Sequence, residues 1–102
     1  MKRCEINLTK TFREELNNII NYIKSSLKEP NIANVLHSKI IDSIYSLEFF
    51  PARFVKLNKY NILNLRKLQV GKYVIIYLVD DFIHKVYILH IFHGSQNYLD
   101  KI

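Results

Sequence analysis

The stretch LRKLQVGKYVIIYLVDDFIHKVYILHIFHG, residues 65–94, decides how this chain folds. Tyr73–Val79 within it is the longest unbroken apolar run of the chain, far short of the ~20 residues that a membrane span needs. Its valines, isoleucines and tyrosines at that length read as a buried strand. Before it, Val70-Gly71-Lys72 is a turn signal, because glycine takes a positive φ without steric cost. LRKLQV then reads as a partner strand, with Leu65, Lys67 and Gln69 opposing Arg66, Leu68 and Val70 across the pleat. After it, DDFIH links to a further strand, KVYILHIF, and the paired acids Asp80 and Asp81 suit a turn rather than a metal site. Strands joined by such short links pair antiparallel. The link is unusually apolar, so Phe82 and Ile83 either pack back or mark a contact surface.

Upstream the period changes from two to three and four. Phe12, Leu16, Ile19, Ile20, Ile23 and Leu27 lie on one stripe of an amphipathic helix, with T-F-R-E at Thr11–Glu14 as its capping box. Pro30 ends the connector and suits the first turn of a second helix. That helix carries Ile32, Val35, Leu36, Ile40, Ile44 and Leu47 on one stripe and stops at Pro51. RCEINL, Arg3–Leu8, is a short strand, and FVKL from Phe54 begins the strand-rich half. The order β-α-α-β-β-β defines one α+β domain over residues 1–102, with a helical hairpin packed on one face of a small twisted sheet.

The chain has 102 residues, 49% hydrophobic and 24% charged, which is globular composition with material for one modest core. Cys4 is the only cysteine, so no internal disulfide forms, and the N-terminus has no apolar leader pattern; a cytoplasmic location is expected. The net charge of +6 is uneven: residues 1–51 carry +1 and residues 52–102 carry +5. Arg53, Lys56, Lys59, Arg66, Lys67 and Lys72 fall within residues 52–72, which hold no acid. Such a segment attracts a polyanion, either nucleic acid or an acidic protein tail.

Several chemistries find no residues here. There is no CxxC, HExxH, Gly-rich phosphate loop or GxSxG, and neither a cofactor nor a metal is expected. His90 and His93, three apart on one strand, point to opposite faces and do not converge on an ion. Metal-free RNA cleavage needs something else: a base for the ribose 2′-hydroxyl, cations for the phosphate and an acid for the leaving oxygen. Histidine titrates in the right range, arginine forks onto phosphate, and an aromatic stacks on an unpaired base. Arg66, Lys67, His90, His93 and Tyr98, with the basic loop 53–59, supply those groups. Each also has a plainer role, as a sheet-face arginine, a strand-end histidine or a tyrosine packed as a cap. Tyr73, Tyr77 and Tyr87 have strand periodicity and read as packing residues.

Arg66, Leu68, Val70, Tyr73, Ile75, Tyr77, Val79 and Asp80, followed by Val86, Ile88, Ile91, His93, Gly94 and Tyr98, resemble the pattern of the RelE/ParE superfamily of bacterial toxins. The upstream strand, the helix ending NYIKSSL and the helix ending LEFFP are similar too, so the resemblance covers nearly the whole chain. It implies the toxin of a type II toxin–antitoxin module on the RelE/ParE-like α+β fold. One class of the superfamily cleaves mRNA, usually on the ribosome and without metal; the other poisons DNA gyrase. The mRNA-cleaving class is the expectation here, with Arg66, His93 and Tyr98 as catalytic residues and Arg53, Lys56, Lys59 and Lys67 on the RNA phosphates. A gyrase inhibitor is the first alternative, and a non-toxic, antitoxin-binding co-repressor the second. After its last strand the chain reads GSQN, where an arginine-rich end is common in the superfamily. The implied partners are a cognate acidic antitoxin, in a hetero-oligomer, and the ribosome with its mRNA or else gyrase; no membrane is involved.

Overall fold

The structure, a computed structural model, describes residues 3–57 and 65–94, and of Arg53 and Val55 the backbone only. The elements run β1 (Glu5–Leu8), α1 (Lys10–Asn21), α2 (Pro30–Tyr45), β2 (Val55–Lys56), β3 (Leu65–Val70), β4 (Tyr73–Asp80) and β5 (Lys85–His93). They form one sheet in the order β1-β5-β4-β3-β2, with β3, β4 and β5 inside it. The expected α+β architecture stands, with two additions: the two-residue β2, and a parallel pairing of β1 with β5 (Glu5 beside Lys85, Leu8 beside Ile88). β1 and β2 are therefore opposite edges, and the helical hairpin crosses the sheet between them.

The main core lies between hairpin and sheet. Phe12, Leu16, Ile20 and Ile23 from the α1 side and Ala33, Ile40 and Ile44 from α2 meet Leu68, Ile75, Tyr77, Ile88 and Ile91. The opposite face is apolar as well: Leu57, Leu65, Val74, Ile76 and Phe92 form a second cluster with Leu78 and Leu89 against it. Burial on both faces is why YVIIYLV has no polar alternation.

Three helical expectations are corrected. α1 is capped by Thr9, whose Oγ1 accepts from the Phe12 N–H at 3.2 Å, and not by a box at Thr11–Glu14. Thr9 stands where β1 leaves β5, with its backbone N–H and its hydroxyl both donating to the Ile88 carbonyl, at 3.2 and 2.7 Å. A tertiary tie thus sets the start of the helix two residues early. The end of α1 widens into a π-turn over Tyr22–Ser26, closed by the Leu27 N–H to the Tyr22 carbonyl at 3.1 Å. That extra residue per turn swings Leu27 out of the stripe, to 51% exposure. In α2, Ala33 is fully buried while Ile32 and Val35 are 57% and 56% exposed. The buried stripe is Ala33, Leu36, Ile40, Ile44 and Leu47, rotated from the one that the larger side chains trace.

Candidate functional site

β5 carries a bulge. Ile76 pairs with His90 but Tyr77 with Ile88, which leaves Leu89 as the extra residue. The bulge shifts the phase of the strand. Val86 and Ile88 face the hairpin before it, and Ile91 and His93 face it afterwards. His93, half-buried, meets Tyr73 edge-to-face at 5.4 Å between ring centroids. Just beyond, the Gly94 N–H donates to the Lys72 carbonyl at 2.6 Å. A Cβ on Gly94 would lie 3.1 Å from that oxygen, so a side chain there forces this end of the hairpin to shift.

His90 is held differently. β1 pairs only with Lys85–Ile88, so the edge of β5 beyond Ile88 lacks a strand partner. Glu15 of α1 fills in: its carboxylate accepts the Ile91 N–H at 3.2 Å and lies 3.2 and 3.3 Å from His90 Nδ1. His90 also stacks on Phe92 at 5.1 Å. The structural reading of His90 is supported, and Glu15, which the sequence reasoning passed over, is its reason. The only signal is an acid on the sheet-facing side of α1, next to Glu14 of the expected capping box.

Arg66 lies at the other end of the sheet. It pairs across β3–β4 with Tyr77, half-buried, and its Nη1 donates to the Phe54 carbonyl at 2.8 Å. Tyr77 Oη donates to the Pro51 carbonyl at 2.6 Å, so the two side chains pin the segment that leads from α2 into β2. Lys56 is opposite Arg66 in the β2–β3 register and exposed, which makes a basic pair at that edge. Lys67 is on the opposite face, across from Ile76. Arg53 begins β2's approach in a 3-10 turn, its side chain outside the described residues, as are Lys59 and Tyr98 entirely.

The structure thus brings Arg66 and Lys56 together but keeps Arg66 apart from His93. Four residues of register and two inter-strand spacings, across β4, separate them, roughly 16 Å between backbones. Between them on the hairpin face lie Leu68, Ile75 and Ile91, all buried in the main core. Among the described residues no cluster of three or more His, Cys, Asp or Glu could hold a metal ion, and no helix is long and apolar enough to cross a membrane.

Two surface features remain. A groove of about 390 Å³ on α2 is lined by Asn31, Ile32, Val35, Leu36 and Lys39. A notch of about 320 Å³ at the start of β1 is lined by Arg3, Cys4, Glu5, Ile6, Tyr45 and Glu48. Beside it Arg3 pairs with Glu48, and burial, with the charge of Asp81 second, pushes the Cys4 thiol above its ordinary pKa.

This arrangement, a hairpin laid across a sheet whose first strand is parallel to its last, recurs in solved toxin structures. The chain is similar to one in the RelBE2 toxin–antitoxin complex of Mycobacterium tuberculosis (TM-score 0.66, 21% identity, covering 94% of this chain and 97% of that one). It is similar to one in the chromosomal ParDE system of P. aeruginosa (0.73, 15%, 91% and 98%) and to one in the archaeal RelE–RelB complex of Pyrococcus horikoshii OT3 (0.67, 17%, 92% and 98%). These likenesses establish the RelE/ParE toxin fold. No curated protein matches the sequence. The family model for the ParE toxin of the type II toxin–antitoxin system parDE matches residues 6–98, and the chain belongs to that family, within the RelE/ParE superfamily.

Proposed function

We propose that this chain arrests growth by binding and blocking DNA gyrase, and that a cognate antitoxin holds it silent. The observation that carries this reading is the separation of Arg66 from His93 by buried Leu68, Ile75 and Ile91. Metal-free cleavage needs a phosphate-binding cation and a proton-transfer group on the same phosphodiester. Here Arg66 Nη1 donates to the Phe54 carbonyl and the histidine packs against Tyr73 at the far end. Membership of the ParE family points the same way, toward the class that poisons a protein rather than the class that cuts RNA.

The antitoxin reading rests on surface chemistry. Ile32 and Val35 are exposed on a helix whose other side is packed, and the second half of the chain is strongly basic. An acidic amphipathic segment satisfies both, with its apolar side in the α2 groove and its acids toward the basic half, ordering as it binds.

The test is induction of the protein in cells, alone and with its antitoxin, followed by primer extension on a reporter mRNA and by plasmid topology. Growth arrest with intact mRNA and relaxed plasmid is expected. Discrete mRNA cleavages that vanish in His93→Ala or Arg66→Ala would return the case to an endoribonuclease. No arrest at all would make the chain an antitoxin-binding co-repressor.

A further inference from the structure

The end of the molecule where β1 starts and β4 turns into β5 is unlike the rest. Asp80 Oδ1 accepts the N–H groups of Phe82 and Ile83, at 3.1 and 3.4 Å, which fixes the turn and holds Phe82 out at its tip. Phe82 is 98% exposed and Ile83 is exposed beside it, so this apolar link does not pack back. His84 closes the turn at φ +53°, and its carbonyl accepts the Glu5 N–H at 2.8 Å. On the other side of β1 the Cys4 N–H donates to the Glu48 carbonyl at 2.8 Å. That contact brings in Tyr45, Phe49 and Phe50, all exposed. Phe50 sits at φ +55°, ψ +53° immediately before Pro51, a left-handed conformation that a bulky residue avoids and that a following proline makes worse. Backbone strain of the kind at Phe50 clusters at functional sites, and exposed aromatics such as Phe82, Phe49 and Phe50 are side chains that anchor interfaces.

The charge of this end selects the partner. Glu5, Glu48, Asp80 and Asp81 gather there, four of the nine acids in a chain of net charge +6, against Arg3 and Lys85. Arg3 pairs with Glu48 and Lys85 stands opposite Glu5 and Asp80, so four acids against two cations leave an excess of acid that disfavours nucleic acid and an acidic antitoxin segment at this end. We infer that it is the docking surface for the protein target of the toxin, with Phe82 as the anchor, and that the target offers an apolar pocket rimmed by basic side chains. The inference rests on the reading of the chain as a gyrase-blocking toxin and specifies which part of the molecule does the blocking. Anchor aromatics surrounded by an acidic rim commit binding energy to the pocket and steering to the rim.

The test titrates purified wild type, Phe82→Ser, Asp81→Lys and, as a comparison at an exposed aromatic away from this end, Tyr22→Ser into a gyrase supercoiling reaction. Thermal unfolding of each variant is measured alongside. Phe82 and Tyr22 are both solvent-facing, so neither substitution should lower the melting point. Phe82→Ser is expected to need roughly 30-fold more protein for half-maximal inhibition, the scale of losing one interface anchor. Asp81→Lys should weaken inhibition less and mainly at low salt, and Tyr22→Ser should match wild type. Inhibition by wild type with full potency in Phe82→Ser overturns this surface and leaves the gyrase reading standing. Equal loss in Phe82→Ser and Tyr22→Ser also overturns it. Failure of wild type itself to inhibit gyrase overturns the reading and the surface together.

Discussion

Glu15 holds two groups that the fold would otherwise leave without a partner, the Ile91 N–H at an unpaired strand edge and the His90 ring. Removing an acceptor from a part-buried donor costs the desolvation of that donor, about 1–3 kcal/mol. Glu15→Ala should lower the urea-unfolding free energy by that amount, and Glu15→Gln, which keeps a carbonyl acceptor, should lose less. Equal stability of all three proteins would show that water serves the Ile91 edge as well as the carboxylate does. Cys4 makes a second residue-scale prediction. The residue is 8% exposed, and burial, then the Asp81 charge, hold the thiol pKa above the ordinary value near ~8.5. The folded chain therefore favours the neutral thiol. That contribution is whole below the unfolded pKa and is lost as the pH rises through the folded one. Unfolding midpoints measured from pH 7.5 to 10.5 should fall more steeply for wild type than for Cys4→Ala, and identical slopes would contradict the assignment.

At the scale of elements, β3, β4 and β5 were legible because turn chemistry and strand composition agree locally: Gly71 does take φ +58° and Asp80 does organise its turn. What stayed hidden was set by distant contacts. The bulge at Leu89 has no local signature, since KVYILHIF is apolar on both faces and its alternation carries no phase. The parallel pairing of β1 depends on a partner 80 residues away, and the cap at Thr9 depends on the Ile88 carbonyl. In the site, Arg66 and His93 are both positions of the family pattern, and only the register shows that Leu68, Ile75 and Ile91 lie between them. α2 shows the same lesson in one helix, because the small Ala33 takes the buried position while Ile32 and Val35 face out. Ile40→Ala should therefore cost about 2–5 kcal/mol and Ile32→Ser no more than about 0.5. Comparable losses at the two positions, measured by urea unfolding, would mean that the stripe is drawn wrongly.

The whole molecule divides its surface by chemistry. The basic half, with Lys56 and Arg66 paired at the β2–β3 edge, and the apolar groove on α2 suit an acidic amphipathic antitoxin segment. The acidic, aromatic end around Phe82 suits a different protein. Salt should weaken the antitoxin's encounter by screening while the groove contacts persist. All of this depends on a toxin that acts by binding a protein. The most direct measurement is the supercoiling of relaxed plasmid by purified gyrase as the purified toxin is titrated in, with a reporter mRNA and ribosomes assayed in parallel. Loss of supercoiling with the mRNA intact is the predicted result; an active gyrase beside a cleaved mRNA would contradict the account.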